Sequence, residues 1–387
     1  MKVVSRLWST APRREALVAA AVHLSLAAIG FVVLLLVNRH LGHSVAWLLR
    51  RWDSGNYLNV AEHGYPGRIP YRPSGLPDFS RLAFFPLVPL LVRGTRLLTG
   101  LPVVYAGVLV SWCAATVAAV GVHRLVRAVG GSAAAGYACV ALWSCSPYAF
   151  ALWVPYSEGV FSAALVWALV AMVRRSWLTA AVLCVVAGAV RPTAVVLIGT
   201  LLLAAGWALV RGRAGGDARA WAALALAPLG LIGSWLYLGS RVGRVDGWFE
   251  AERAWGQSFD FGVGTGDFLW SALLYGKSWR VTDQRNAAVL ALVLLTAVAV
   301  LALALDRSVP WPLVVVVAGA WLLMMGTPGS PFSKPRFMLP FLPVPLLLVA
   351  RPLARAPLVV QGCLYGGGAV VSGWYAAGLL VLFVGSP

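Results

Sequence analysis

FFPLVPLLVRGTRLLTG (84–100) is apolar enough to suggest a membrane span and too interrupted to make one. It carries Pro86, Pro89, Arg93 and Arg96 within 17 residues. A spanning helix needs about 20 consecutive apolar residues. An arginine at the bilayer centre costs at least about 2.5–3.5 kcal/mol on insertion scales. The segment is therefore expected to lie along the interface as an amphipathic helix. Everything downstream depends on this reading, because a span here would invert every later loop.

The rest of the chain supplies the spans. Its 387 residues are 60% hydrophobic and 11% charged, where a soluble domain has roughly 25% charged residues. Mean hydropathy is +0.82. Apolar runs recur near 16–37, 103–122, 133–151, 156–173, 177–190, 192–210, 219–238, 286–305, 309–325, 336–350 and 358–383. The expectation is an all-α polytopic membrane protein of about 11 transmembrane helices, forming one integral membrane domain over 1–387. The first run is longer than a signal-peptide core and no A-x-A site follows it, so it reads as an uncleaved anchor. The five cysteines show no C-x-x-C spacing and read as small core residues.

Arginine and lysine in short loops set the orientation. Lys2, Arg6, Arg13 and Arg14 precede the first run and belong in the cytoplasm. Alternation then puts Arg124 and Arg127, Arg174 and Arg175, Arg211, Arg213 and Arg219, Arg307, and Arg351 and Arg355 on the same side. Only Glu15, Asp217 and Asp306 of the 13 acids join them. Two long loops, 38–102 and 239–285, face outward. The chain is expected in the plasma membrane, with its N-terminus cytoplasmic and its polar chemistry on the extracytoplasmic face. The net charge of +18 forms no solvated basic patch, so nucleic acid is not an expected partner. Anionic or phosphate-bearing lipid fits better.

The first outer loop opens with an amphipathic pattern. Val45, Leu48, Leu49 and Trp52 fall at i, i+3, i+4 and i+7, and Ser44 suits an N-cap. Asp53 then sits at the mouth of the bundle, on one helical face with Tyr57. An aspartate held there suits a general base that takes a proton from an attacking hydroxyl. Arg50 and Arg51 beside it favour its ionised form. The alternative is a solvated acid paired with those arginines.

Other polar clusters also admit two readings. Glu158 in VPYSEGVF (154–161) starts a span at its outer end. It can stabilise a helix N-terminus, accept bonds from sugar hydroxyls or orient a basic residue. Arg191 in AVRPTAVV (189–196) sits where Pro192 breaks the helix. It can snorkel to the headgroups or grip a phosphate through its planar fork. Lys334 and Arg336 in GSPFSKPRFMLP (329–340) can anchor the interface or clamp a departing phosphate. In DGWFEAERAWGQSFDFG (246–262), Glu250 and Glu252 form the closest acidic pair. A divalent metal there is an alternative to an aromatic-rich acceptor loop. No D-x-D occurs and no histidine stands nearby, so no metal site or cofactor is expected. His23 reads as an interior residue.

RWDSGNYLNVAEHGYP (51–66), LAFFPLVPLL (82–91) and SPYAFALWVPYSEGVF (146–161), in this order, resemble the PIG-V family of mannosyltransferases. KPRFMLPFLP (334–343) extends the likeness into the C-terminal half. These enzymes are relatives of the second mannosyltransferase of GPI-anchor assembly, with bacterial, notably actinobacterial, members. They belong to the GT-C class of polytopic glycosyltransferases. The resemblance implies a GT-C-type bundle, a polyprenyl-phosphate-mannose donor and a glycolipid or glycan acceptor. It maps the catalytic acid of the first outer loop onto Asp53. A β-linked donor and an α-linked product imply inversion, which needs one base and no close carboxylate pair. The substrate contacts it implies are Arg51, Trp52, Tyr57, Glu62, His63, Tyr65, Tyr156 and Glu158. Arg191, Lys334 and Arg336 are the expected phosphate-binding residues. A transporter or lipid flippase is the competing class. It would place ionisable residues at mid-membrane and show internal repeats, and this sequence does neither.

Overall fold

The computed structural model describes residues 10–212, 217–256, 258–274 and 281–383. Lys2, Arg6 and Arg213, expected on the inner side, lie outside the described residues, as does the stretch 275–280 of the second outer loop. Helices dominate, and the one extended pairing among the described residues is a bridge between Tyr71 and Pro77.

The first long helix is α1 (Thr10–His40). Two short helices follow in the first long loop, α2 (Val45–Leu48) and α3 (Asp53–His63). Then come α4 (Leu87–Thr99), α5 (Val103–Ala128), α6 (Ala133–Ser144), α7 (Glu158–Val173), α8 (Trp177–Gly188) and α9 (Ala194–Val210). Pro228 divides the next run into α10 (Ala218–Leu226) and α11 (Leu229–Ser240), since proline lacks the N–H that would continue the ladder. The second long loop carries α12 (Gly247–Arg253) and α13 (Val263–Leu274). The chain closes with α14 (Val281–Leu305), α15 (Trp311–Gly326), α16 (Lys334–Met338), α17 (Leu347–Leu353) and α18 (Leu358–Ala377).

Among the described residues, five helical stretches are long and apolar enough to cross a membrane: 12–40, 103–128, 218–240 (α10 and α11 together), 288–305 and 358–382. Five more expected spans appear as shorter apolar helices, at 133–144, 158–173, 177–188, 194–210 and 311–326. The expected span 336–350 is not one helix. Pro340, Pro343 and Pro345 interrupt it between α16 and α17. Leu17, Val32, Leu36, Leu295, Val298 and Leu358 point outward and exposed, the surface a lipid environment requires. Inside, α5 packs along α7 and α18 along α1. Gly373 lets α18 cross close to α1, because a Cβ there would lie 2.2 Å from the Gly30 carbonyl oxygen. Small residues at such crossings bring helix backbones together.

α4 covers 13 residues of the opening segment. At 1.5 Å per residue that is about 20 Å, short of a hydrocarbon core of about 30 Å. The ion pairs point the same way if the other spans alternate. Asp53 precedes α4 and meets Arg336 at 2.7 Å. Glu15 precedes it and lies 3.5 Å from Arg124 and 3.6 Å from Arg127. Were α4 a span, each pair would have its members on opposite sides of the bilayer. Among the described residues, no ion pair joins a residue expected inside to one expected outside.

Candidate active site

The site is assembled where the polar helix starts and the two long loops meet. Its entry is the turn before α3. Ser44 caps α2 as its sequence suggests, accepting a bond from the Trp47 N–H. The expected amphipathic helix does not continue into α3. The chain turns at Trp52, which has φ 54° and ψ −131°. A non-glycine residue in so sparse a region costs of order 1–3 kcal/mol and persists only where its surroundings enforce it. Gly55 closes the turn, since a Cβ there would lie 2.4 Å from the Arg50 carbonyl oxygen. The turn makes Asp53 the first residue of α3, with Tyr57 one helical turn on.

Asp53 does not pair with its sequence neighbours. Arg50 binds Glu62 at 3.3 Å. Arg51 stacks against the rings of Trp47 and Trp52 and donates to the Leu380 carbonyl. The partner of Asp53 is Arg336, whose Nη2 lies 2.7 Å from Oδ2. The Nε of Arg336 is 3.3 Å from Glu158, and the same Glu158 oxygen is 2.8 Å from Arg191. The result is a charge chain, Asp53–Arg336–Glu158–Arg191. Its Arg336 and Glu158 side chains are each 2% exposed, against 18% for Asp53. Buried charges must be paired, and here two carboxylates balance two guanidiniums. Glu158 thus orients basic residues, one of the roles its sequence allowed. Arg336 also lies 4.8 Å over the Tyr156 ring. Its Nη1 is buried and has no hydrogen-bond partner among the described residues.

The chain borders a cavity of about 600 Å³. Asp53, Tyr57, Arg191, Lys334 and Arg336 line it, together with Trp235 of α11, Trp248 and Glu252 of α12, and Trp255. Tyr57 is buried, which pushes its phenol above its ordinary value and keeps it protonated. Lys334 is held differently from its expected role. Its ammonium donates to the Thr265 hydroxyl at 3.1 Å and to the carbonyls of Met324 and Thr327. Those three bonds use its three donors and tie α13 and α15 to the cavity wall.

Of the expected substrate contacts, Tyr57 reaches the cavity, and Glu158 and Tyr156 stand behind it. Others serve the scaffold around it. Glu62 bridges Arg50 and Arg96, joining α3 to α4. His63 is exposed at the end of α3, with Nδ1 3.3 Å from the Asn59 carbonyl. Tyr65 donates to the Phe84 carbonyl at 2.6 Å. The acidic pair in the second loop separates: Glu250 binds Arg253 and takes a bond from Tyr71, whereas Glu252 faces the cavity. Glu252 escaped the sequence reading as a site residue. Its signal was the run WFEAERAW (248–255), an acid among indoles; the helix ends at Arg253, and the turn after it brings Trp255 to the same cavity.

No protein-family model matches the sequence, and no curated protein matches it. Among solved structures the chain is similar to ArnT from Cupriavidus metallidurans, crystallised bound to undecaprenyl phosphate. The TM-score is 0.50 at 14% sequence identity. The match covers 87% of this chain and 61% of ArnT. The chain shares the helical fold of ArnT. The likeness is one of architecture, shared by two multi-pass helical membrane proteins.

Proposed function

We propose that the protein is an inverting glycosyltransferase of the PIG-V kind. It moves mannose from a polyprenyl-phosphate carrier to a glycolipid or glycan acceptor at the extracytoplasmic face. The observation that carries this reading is the buried charge chain on the wall of the cavity. Asp53 takes the proton of an acceptor hydroxyl as that oxygen attacks the sugar C1. The bond from C1 to the phosphate oxygen breaks, and its electron pair stays on the phosphate. Arg336 and Arg191 meet the charge that grows there. Glu158 fixes both guanidiniums in place. Asp53 meets Arg336 through Oδ2 and lines the cavity, where an acceptor hydroxyl can reach it.

The fold supports the choice of donor. ArnT holds undecaprenyl phosphate on a similar architecture, and a prenyl chain in the bilayer presents its phosphate near the helix ends where Arg191 sits. A transporter would need ionisable groups at mid-membrane. Here the ion pairs lie at helix ends, in short helices and in connections. The test is transfer of radiolabelled mannose from polyprenyl-phosphate-mannose by the purified protein. Transfer from a nucleotide sugar alone would overturn the donor assignment.

A further inference from the structure

One wall of the cavity is not used by the charge chain. It is built by α11, α12 and the turn after α12, and it carries Trp235, Trp248, Glu252 and Trp255. The indole N–H groups of Trp235 and Trp255 are buried and have no hydrogen-bond partner among the described residues. The Glu252 carboxyl has neither an ion pair nor a hydrogen bond among the described residues. A buried polar group left without a partner is costly. Three indoles and a half-buried carboxyl without a partner make one wall of the cavity, a surface suited to a ligand with apolar ring faces and hydroxyl groups. Apolar walls with a few placed polar groups are the usual form of a small-molecule site.

We infer that this wall binds the acceptor as a neutral sugar, with Glu252 acting as an uncharged carboxyl that both donates and accepts hydrogen bonds. The inference rests on the glycosyl-transfer reading of the same cavity and names the acceptor side of it. Asp53, which also lines the cavity, is paired with Arg336. Glu252 has no such anchor. Burial, and next the nearby charge of Asp53, push Glu252 up to about 8, so it holds its proton at neutral pH. A carboxyl kept neutral in this way can donate a hydrogen bond.

The groups around Glu252 fit this state. On its own helix, Glu250 and Arg253 pair with each other at 3.1 Å. Arg244 and Asp246 before the helix do the same at 2.8 Å. Arg81 and Tyr237 lie on the two elements packed against α12. Across the cavity, Arg191 and Arg336 are engaged by Glu158 and Asp53, and Lys334 by its three oxygen acceptors. Among the described residues, no cation is paired with Glu252.

The test uses the purified full chain in a detergent without sugar headgroups, with polyprenyl-phosphate-mannose as donor and a panel of octyl glycosides as acceptors. Quenching of tryptophan fluorescence by the glycosides reads binding apart from transfer. Glu252→Ala, checked for an unchanged thermal midpoint, should raise the acceptor KM and the quenching Kd about tenfold. That is the effect of one buried hydrogen bond. Donor KM should not move. Glu252→Gln, which keeps a donor and an acceptor, should recover most of that loss. Wild-type acceptor KM should climb as pH passes about 8 and Glu252 ionises beside Asp53, whereas the Gln variant should show no such rise. Trp255→Phe should weaken the same binding. A Gln variant as inactive as Ala at every pH would make Glu252 an ionised base and overturn the inference. So would an Ala variant with wild-type acceptor KM and Kd. Glycoside binding through Glu252 without any mannose transfer would overturn the transfer reading and leave this one standing.

Discussion

Asp53→Asn changes one charge and almost no shape. The amide oxygen can still accept from Arg336 at the position where Oδ2 lies 2.7 Å away. Arg336 also keeps Glu158 at 3.3 Å. The variant should therefore fold. The four-residue chain goes from balanced to one net positive charge, which does not disfavour a phosphate. What is lost is the proton acceptor. General-base contributions start at about 100-fold, equivalent to about 2.7 kcal/mol of barrier. Turnover should fall by at least that factor, with donor KM unchanged or lower. The assay is single-turnover and steady-state transfer of labelled mannose, with a thermal melt alongside. Asp53→Glu, a displaced carboxylate, should retain more activity than Asn. Near wild-type turnover in a folded Asn variant would remove Asp53 from the chemistry. A raised donor KM at unchanged kcat would make it a binding residue instead.

Arg191→Ala should lower kcat as well as donor affinity, because charge on the phosphate grows as the sugar leaves. Lysine at 191 should rescue it only in part, since it keeps the charge but loses the planar fork; full rescue would leave Arg191 as an interfacial anchor. Glu158→Gln removes the anion shared by two buried arginines. It should destabilise the protein by an amount approaching the about 3–5 kcal/mol of a broken buried pair, read as a lower thermal midpoint together with lost transfer. An unchanged midpoint would contradict the charge chain. For orientation, Gly67→Cys should react with an impermeant thiol reagent added outside intact cells, and Arg211→Cys should not, in a background lacking the exposed Cys113 and Cys363. The opposite pattern would put the cavity in the cytoplasm.

The membrane character, the approximate spans and the two long loops were legible in the sequence, because each is a property of a contiguous run. Twenty apolar residues declare a helix wherever they pack, and Pro228 or Pro340 breaks one wherever it falls. The amphipathic α4 was legible for the same reason. Asp53 could be singled out by its place at the end of an interfacial stretch. Its true partner could not. Arg50 and Arg51 are its sequence neighbours, but the turn at Trp52 carries them away and the packing of α16 delivers Arg336. Lys334 and Arg336 look alike in sequence, two cations flanking a proline. Only the structure sends one to Thr265 and two backbone carbonyls and the other to Asp53 and Glu158. Glu250 and Glu252 likewise part company, one to a surface ion pair and one to the cavity. Local periodicity fixes which residues form a helix and which share a face. Pairing across the bundle depends on the relative rotation and depth of helices far apart in sequence, and so it was decided only when the tertiary fold brought them together.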